Sequence, residues 1–158
     1  MRVDEVAARR LFAAARVARL ATTGADGAPH LVPVTFAMDH GDVVSAVDAK
    51  PKSTRALRRL RNIRAHPRVS LLVDHYDDDW SRLWWVRADG HATVTDSDPD
   101  AVTALAAKYQ QYARTAPAGP VIRVRVMTWR GWSASADPPA PPAPPARPEC
   151  PECHPGPG

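Results

Sequence analysis

The residues with the clearest chemical potential form one block. Between positions 50 and 68 stand Lys50, Lys52, Arg55, Arg58, Arg59, Arg61, Arg64 and Arg68, with no Asp or Glu among them. The first three fall in the turn Asp48-Ala49-Lys50-Pro51-Lys52-Ser53-Thr54-Arg55, where an apolar run gives way to an amphipathic helix. Cations at a helix N-terminus oppose the helix dipole by about 0.3–1 kcal/mol, and a bound phosphate reverses the sign. The turn therefore reads as an anion site, with a solvated basic face as the alternative.

Other side chains suit a planar or acidic ligand. The tryptophans cluster as Trp80, Trp84 and Trp85 and again as Trp129 and Trp132. Trp84, Trp85 and Trp129 are candidates to wall a planar ring, against core or dimer contacts as the plainer use of such residues. Arg87, Arg123 and Arg125 lie on strand-like segments and face either an acidic cofactor tail or solvent. His30, His40, His66 and His75 lack metal-ligand spacing, so no metal site is read. Cys150-Pro151-Glu152-Cys153-His154 matches the pattern of covalent c-type haem attachment. It lies among prolines and glycines that offer no pocket, and it reads as a flexible end.

The elements that must hold these residues follow from periodicity. Val6, Ala7, Leu11, Phe12 and Ala14 recur at helical spacing between Asp4 and Ala15. Residues 16–23 alternate as a strand, Gly24-Ala25-Asp26-Gly27 is a turn, and 30–38 is the return strand. Its Pro33 cannot donate to a ladder, which implies an edge, a bulge or a ligand in place of a neighbour. A third strand at 43–47 enters the basic turn, where Ser53 or Thr54 is the N-cap. Ala56, Leu57, Leu60 and Ile63 then share a helical face until Pro67.

Residues 68–74 form a fourth strand and 83–95 a long fifth one, bent or bulged at Gly90. Asp96-Ser97-Asp98-Pro99 opens a helix through Val102, Leu105, Ala106 and Tyr109. The last strand is 121–129. Hairpins rather than regular strand–helix alternation argue for a small antiparallel barrel with helices outside it.

The length, 158 residues with 44% hydrophobic composition, supports one domain with a real core. That domain is read as 1–136, because ten of the seventeen prolines lie in 137–158, an extended or disordered tail. Setting aside Arg147, Asp137, Glu149 and Glu152 leaves 20 basic and 14 acidic side chains in 1–136, an excess of six. The opening Met1-Arg2-Val3-Asp4-Glu5 leads into a helix bearing Arg9 and Arg10, so no export signal is read. No run reaches the roughly eighteen apolar residues of a membrane span. The expectation is a cytoplasmic protein.

Lys50-Pro51-Lys52-Ser53-Thr54, then Arg58-Arg59-Leu60-Arg61-Asn62-Ile63, then His66-Pro67-Arg68-Val69-Ser70-Leu71-Leu72-Val73 resemble the split β-barrel flavin-binding family that includes pyridoxamine 5′-phosphate oxidase. Asp77-Asp78-Asp79-Trp80-Ser81-Arg82-Leu83-Trp84-Trp85-Val86-Arg87 resembles an actinobacterial branch dependent on a deazaflavin, coenzyme F420. The resemblance spans about residues 4 to 135.

It implies a homodimer with the cofactor between two barrels. It also implies phosphate contacts at Lys50, Lys52, Ser53, Thr54 and Arg58, and a ring along Val32, Pro33, Val34 and Thr35. Hydride transfer between the cofactor and a small organic substrate needs no triad; Tyr109, Tyr112, His91 or water could donate a proton. The arginine-rich substrate-phosphate site of a true pyridoxamine phosphate oxidase is absent.

An F420-dependent oxidoreductase is the leading reading. An FMN-binding oxidase or carrier of the same fold is the second. A basic nucleic-acid-binding module is the third, weakened because residues 50–68 interleave no aromatics to stack on bases.

Overall fold

The computed structural model describes residues 1–47 and 54–136, the first four residues of its second helix by backbone alone. The elements run α1 (Glu5–Ala14), β1 (Ala18–Thr23), β2 (Pro29–Val34), β3 (Ala37–Asp39), β4 (Asp42–Ala46), α2 (Thr54–Ala65), β5 (Arg68–His75), a 3₁₀ turn (Trp80–Arg82), β6 (Trp84–Thr95), α3 (Pro99–Lys108), α4 (Gln110–Arg114) and β7 (Val121–Ser133). The strands form one sheet in the order β2-β1-β5-β6-β7-β4-β3, with every pairing antiparallel. This is the mainly β, split-barrel architecture that the hairpin pattern and the resemblance predict.

Local chemistry sets the element ends. The Asp4 carboxylate accepts from the Ala7 N–H at 2.8 Å and starts α1. Asp98 does the same for Ala101 at 3.1 Å, with Pro99 in the first turn of α3. His40 (φ 48°) and Gly41 (φ 88°) form the two-residue turn between Asp39 and Asp42, a conformation that favours glycine. β2 lies at the sheet edge, so Pro33 removes no ladder bond on its open side.

Two apolar layers result. Inside the barrel, Leu11 and Phe12 of α1 and Leu60 and Ile63 of α2 pack with Leu20, Leu71, Val73, Trp84 and Val86. On the opposite face of β3 and β4, Ala101, Leu105 and Tyr109 close over Ala37, Val44, Ala46 and Val121. The long pair β6–β7 joins both layers and carries a register shift between Asp89 and Gly90, the bulge expected there.

Three expectations are corrected. The return strand is broken at Thr35-Phe36 into β2 and β3, because the Tyr109 hydroxyl bonds both the N–H (3.0 Å) and the carbonyl (2.9 Å) of Phe36. The last strand runs on to Ser133, since Trp129, Arg130, Gly131, Trp132 and Ser133 continue the ladder with β6. The helix expected to run through Tyr109 ends at Lys108, with Tyr109 in extended conformation as its cap before the short α4; the 3₁₀ turn is capped by Asp79, which accepts from Ser81 N–H at 3.0 Å. No helix among the described residues is long and apolar enough to cross a membrane.

Candidate functional site

Alternation along β2, β1, β5, β6 and the second half of β7 turns one set of side chains away from the barrel interior, and no helix covers them among the described residues. Leu31 (66% exposed), Leu72, Met127 (64%) and Trp132 all stand on this face. An uncovered apolar face of this kind marks a contact or ligand surface.

Two adjoining grooves cross it. One, of about 610 Å³, is lined by Ala21, Thr23, Pro29, Ser70, Met127 and Thr128, with Arg68 and His91 at one end. The other, of about 450 Å³, is lined by Arg19, Leu31, Leu72, Asp74, Trp85 and Arg87. They share Ala21 and Ser70. Both volumes fall in the usual range for small-molecule sites, roughly 300–1,000 Å³.

The polar groups between the grooves are internally matched. Ser70 Oγ donates to Asp89 Oδ1 at 2.6 Å, and Arg87 Nε donates to Asp89 Oδ2 at 3.0 Å. Arg19 donates to Asp74 Oδ1 at 2.5 Å. Such partly exposed pairs fix side-chain positions more than they stabilise the fold.

The predicted site residues divide. Lys50, Lys52 and Ser53 lie outside the described residues, and Thr54 is described by its backbone alone as the first residue of α2. Arg58 is exposed on α2. On β2, Pro33 is exposed while Val34 is buried and Val32 packs against the barrel core, so these neighbours face opposite ways. Thr35 sits at the β2–β3 break, its hydroxyl 3.0 Å from that of Tyr112.

Of the tryptophans, Trp85 faces a groove. Trp84 is a correction: it is 1% exposed, part of the barrel core, and stacks on His75 at 6.1 Å between centroids. Trp129 likewise lies edge-on to Phe12 at 5.1 Å with Arg9 over its ring. Both rings complete the interior rather than wall a groove.

Two further expectations change. Arg123 neither faces solvent nor waits for an acidic tail. It donates to Asp39 at 2.7 Å, Asp98 at 2.9 Å and Asp42 at 3.3 Å, tying α3 to the β3–β4 hairpin. Its bond to Asp98 holds that carboxyl below the ordinary carboxylate range. Tyr109 is unsuited to proton donation, because its buried hydroxyl is tied to Phe36 and to the Arg16 carbonyl (2.8 Å), and burial raises its pKa.

Ser70, Asp89, Met127 and Thr128 were not legible as groove residues, since only strand register brings them together. The one available signal was the Gly90 bulge, a feature common beside functional sites. No group of three or more His, Cys, Asp or Glu among the described residues could hold a metal.

A family model described as pyridoxamine 5′-phosphate oxidase matches residues 5–133. Among solved structures, a conserved hypothetical protein from Mycobacterium tuberculosis is similar at 23% identity and TM-score 0.67, covering 84% of this chain and 86% of that one. A FAD-binding protein from Mesorhizobium loti aligns at 20% identity and TM-score 0.65, covering 83% and 95%. The FAD-binding protein of Mycobacterium smegmatis aligns at 18% identity and TM-score 0.59, covering 84% and 97%. At these identities the likeness establishes the fold.

Proposed function

The chain belongs to the pyridoxamine 5′-phosphate oxidase family, matched across residues 5–133, and from that premise we propose an oxidoreductase that binds coenzyme F420 and acts on a small organic substrate. The observation that carries this reading is the uncovered sheet face with its two adjoining grooves. A planar heterocycle finds apolar walls there in Ala21, Pro29 and Met127, and hydroxyl donors in Thr23 and Thr128. Leu31, Leu72 and Trp85 beside it offer an apolar seat for the same face of a second copy, which supports a homodimer with the cofactor between subunits as the working unit.

When bound, the deazaflavin ring supplies hydride transfer, and the chain supplies position and shelter from water. Lys50, Lys52, Ser53 and Thr54 hold the cofactor phosphate where the chain enters α2, with Arg58 one turn further on. β2 backs the ring: an edge strand leaves backbone groups unpaired on one side, and Pro33 removes one donor that would otherwise need a partner. His91, exposed at the groove end, is the best placed of the three candidate side chains to give a proton to a reduced product.

FMN is the second reading, supported by the FAD-binding neighbours of the same fold. Titration of the purified protein with oxidised F420 and separately with FMN, followed by absorbance and fluorescence, separates the two. Saturable F420 binding weakened about tenfold or more by Lys52→Ala is the expected result. Protein that purifies yellow and releases FMN on denaturation moves the reading to FMN. Binding of neither cofactor, or an unchanged Lys52→Ala titration, overturns it.

A further inference from the structure

We propose that Arg68, His91 and Arg125 form a second anion site on the uncovered face, one that takes the phosphate or carboxylate end of a small-molecule ligand lying in the adjoining groove. The three residues stand side by side on β5, β6 and β7: Arg68 is directly opposite His91, and His91 is directly opposite Arg125. All three are exposed. Like-charged groups placed opposite one another weaken a sheet. Arg68 and Arg125 are not directly opposite each other, since His91 stands between them, but the row gathers two guanidinium groups on one face, where an anion lying across it meets both.

The protein does not supply that charge among the described residues. Arg19 and Arg87, further along the same face, are answered by Asp74 and Asp89. Arg68 and Arg125 make no ion pair. Asp89, the closest carboxylate along β6, is already bonded to Ser70 and Arg87. Asp42, one step beyond the Val43–Val124 pair, is bonded to Arg123. Arg130 on β7 is also without an ion pair; like Arg125 it lines neither groove, but Arg125 stands directly opposite His91, which lines both the larger groove and the recess beside it, whereas Arg130 stands opposite Arg87.

The row has space beside it. Thr23, His66, Pro67, Arg68 and His91 line a recess of about 360 Å³, and Thr23, Arg68 and His91 also line the 610 Å³ groove. A ligand seated in the groove can thus extend a charged end over the row. Arginine forks match the paired oxygens of phosphate and carboxylate alike. The Thr23 hydroxyl and a His91 ring N–H add further donors, and the bulge at Asp89/Gly90 sets the bend at which the row begins. The identity of the ligand as cofactor or substrate rests on the proposed function, whereas anion binding at the row does not.

The test uses the full chain and inorganic pyrophosphate at constant ionic strength, with chloride as reference. The His91 ring and the Arg68 and Arg125 side-chain resonances are followed by NMR. Saturable shifts are expected, weakened about tenfold by Arg68→Gln and again by Arg125→Gln. Arg61→Gln/Arg64→Gln, on the exposed face of α2, should leave the titration unchanged.

Shifts that never saturate, or that chloride reproduces, overturn the site. So does a double variant whose dimerisation changes in sedimentation while its pyrophosphate titration does not, because the row then faces a second copy. Displacement of pyrophosphate by duplex DNA, with a salt slope that falls by about two in the double variant, assigns the row to nucleic acid instead. Saturable pyrophosphate binding in a protein that takes neither F420 nor FMN keeps the site and removes only the proposed function. Conversely, a cofactor bound equally well by wild type and Arg68→Gln, with no pyrophosphate effect, keeps that function and removes the site.

Discussion

Lys108 closes α3 with its ammonium inside the protein, and its replacement by methionine should stabilise the fold. Nζ lies 3.7 Å from the centroid of the Phe36 ring and 5.6 Å from that of Tyr109, buried and without a hydrogen-bond partner. Arg16, which donates to the Lys108 carbonyl at 2.9 Å, adds a second positive charge. Burial first, and Arg16 second, push the ammonium down from 10.5 to about 8.

Between those values the unfolded chain holds more protons than the folded one, so stability rises with pH across the window. Below pH 8 the full penalty is present. At 1.36 kcal/mol for each pH unit the interval sets a ceiling of about 3.4 kcal/mol. Partial contact of the side chain with water screens this to about 1–2 kcal/mol. Attraction to the two ring faces, about 0.5–1 kcal/mol, acts in the opposite sense and leaves about 1 kcal/mol net.

Lys108→Met keeps the apolar stem and removes the charge. Urea unfolding at pH 7 should place the variant about 1 kcal/mol above wild type, and the gap should narrow at pH 10. A variant less stable than wild type at pH 7, or a gap independent of pH, refutes the reasoning, because the ammonium would then have a partner stronger than two aromatic faces.

Two other substitutions probe the frame around the grooves. Gly90→Ala places a Cβ 2.3 Å from the Arg125 carbonyl oxygen and 3.0 Å from Val124 Cγ1, and should cost about 3 kcal/mol in denaturant unfolding as the β6–β7 bulge is forced apart. Tyr109→Phe leaves the Phe36 N–H without the hydroxyl it donates to at 3.0 Å. It should cost about 2–3 kcal/mol, with faster amide exchange confined first to the β2–β3 corner.

Features that depend on near neighbours along the chain are legible in the sequence. Asp98-Pro99 announces a helix start, Pro33 an edge, and Gly90 a bulge, because caps, missing donors and absent side chains act within a few residues of themselves. The break at Thr35-Phe36 is not legible there, since its cause is a hydroxyl some seventy positions away on Tyr109. Arg123 misleads for the same reason: three carboxylates from β3, β4 and the α3 cap reach it only once the sheet is assembled. For the candidate site, residue type suggests planar and anionic ligands, but which tryptophan faces outward is a matter of strand parity. Trp84 and Trp85 are adjacent and point opposite ways.

The first residues of the chain pair with the end of the last strand. The Met1 ammonium donates to the Ser133 carbonyl, the Ser133 N–H returns to Met1 at 2.9 Å, and the Val3 N–H reaches Gly131 at 3.1 Å. Arg2 bridges to Trp132. The described fold is therefore nearly a closed ring, in which position 136 lies only three residues beyond a partner of position 1. A linker of a few residues could join them, and new termini could open at an exposed turn such as 24–27 without separating any strand from its neighbour. The order of elements along this chain is one linear reading, among several available, of a chain path that nearly closes on itself while its sheet stays open between β2 and β3.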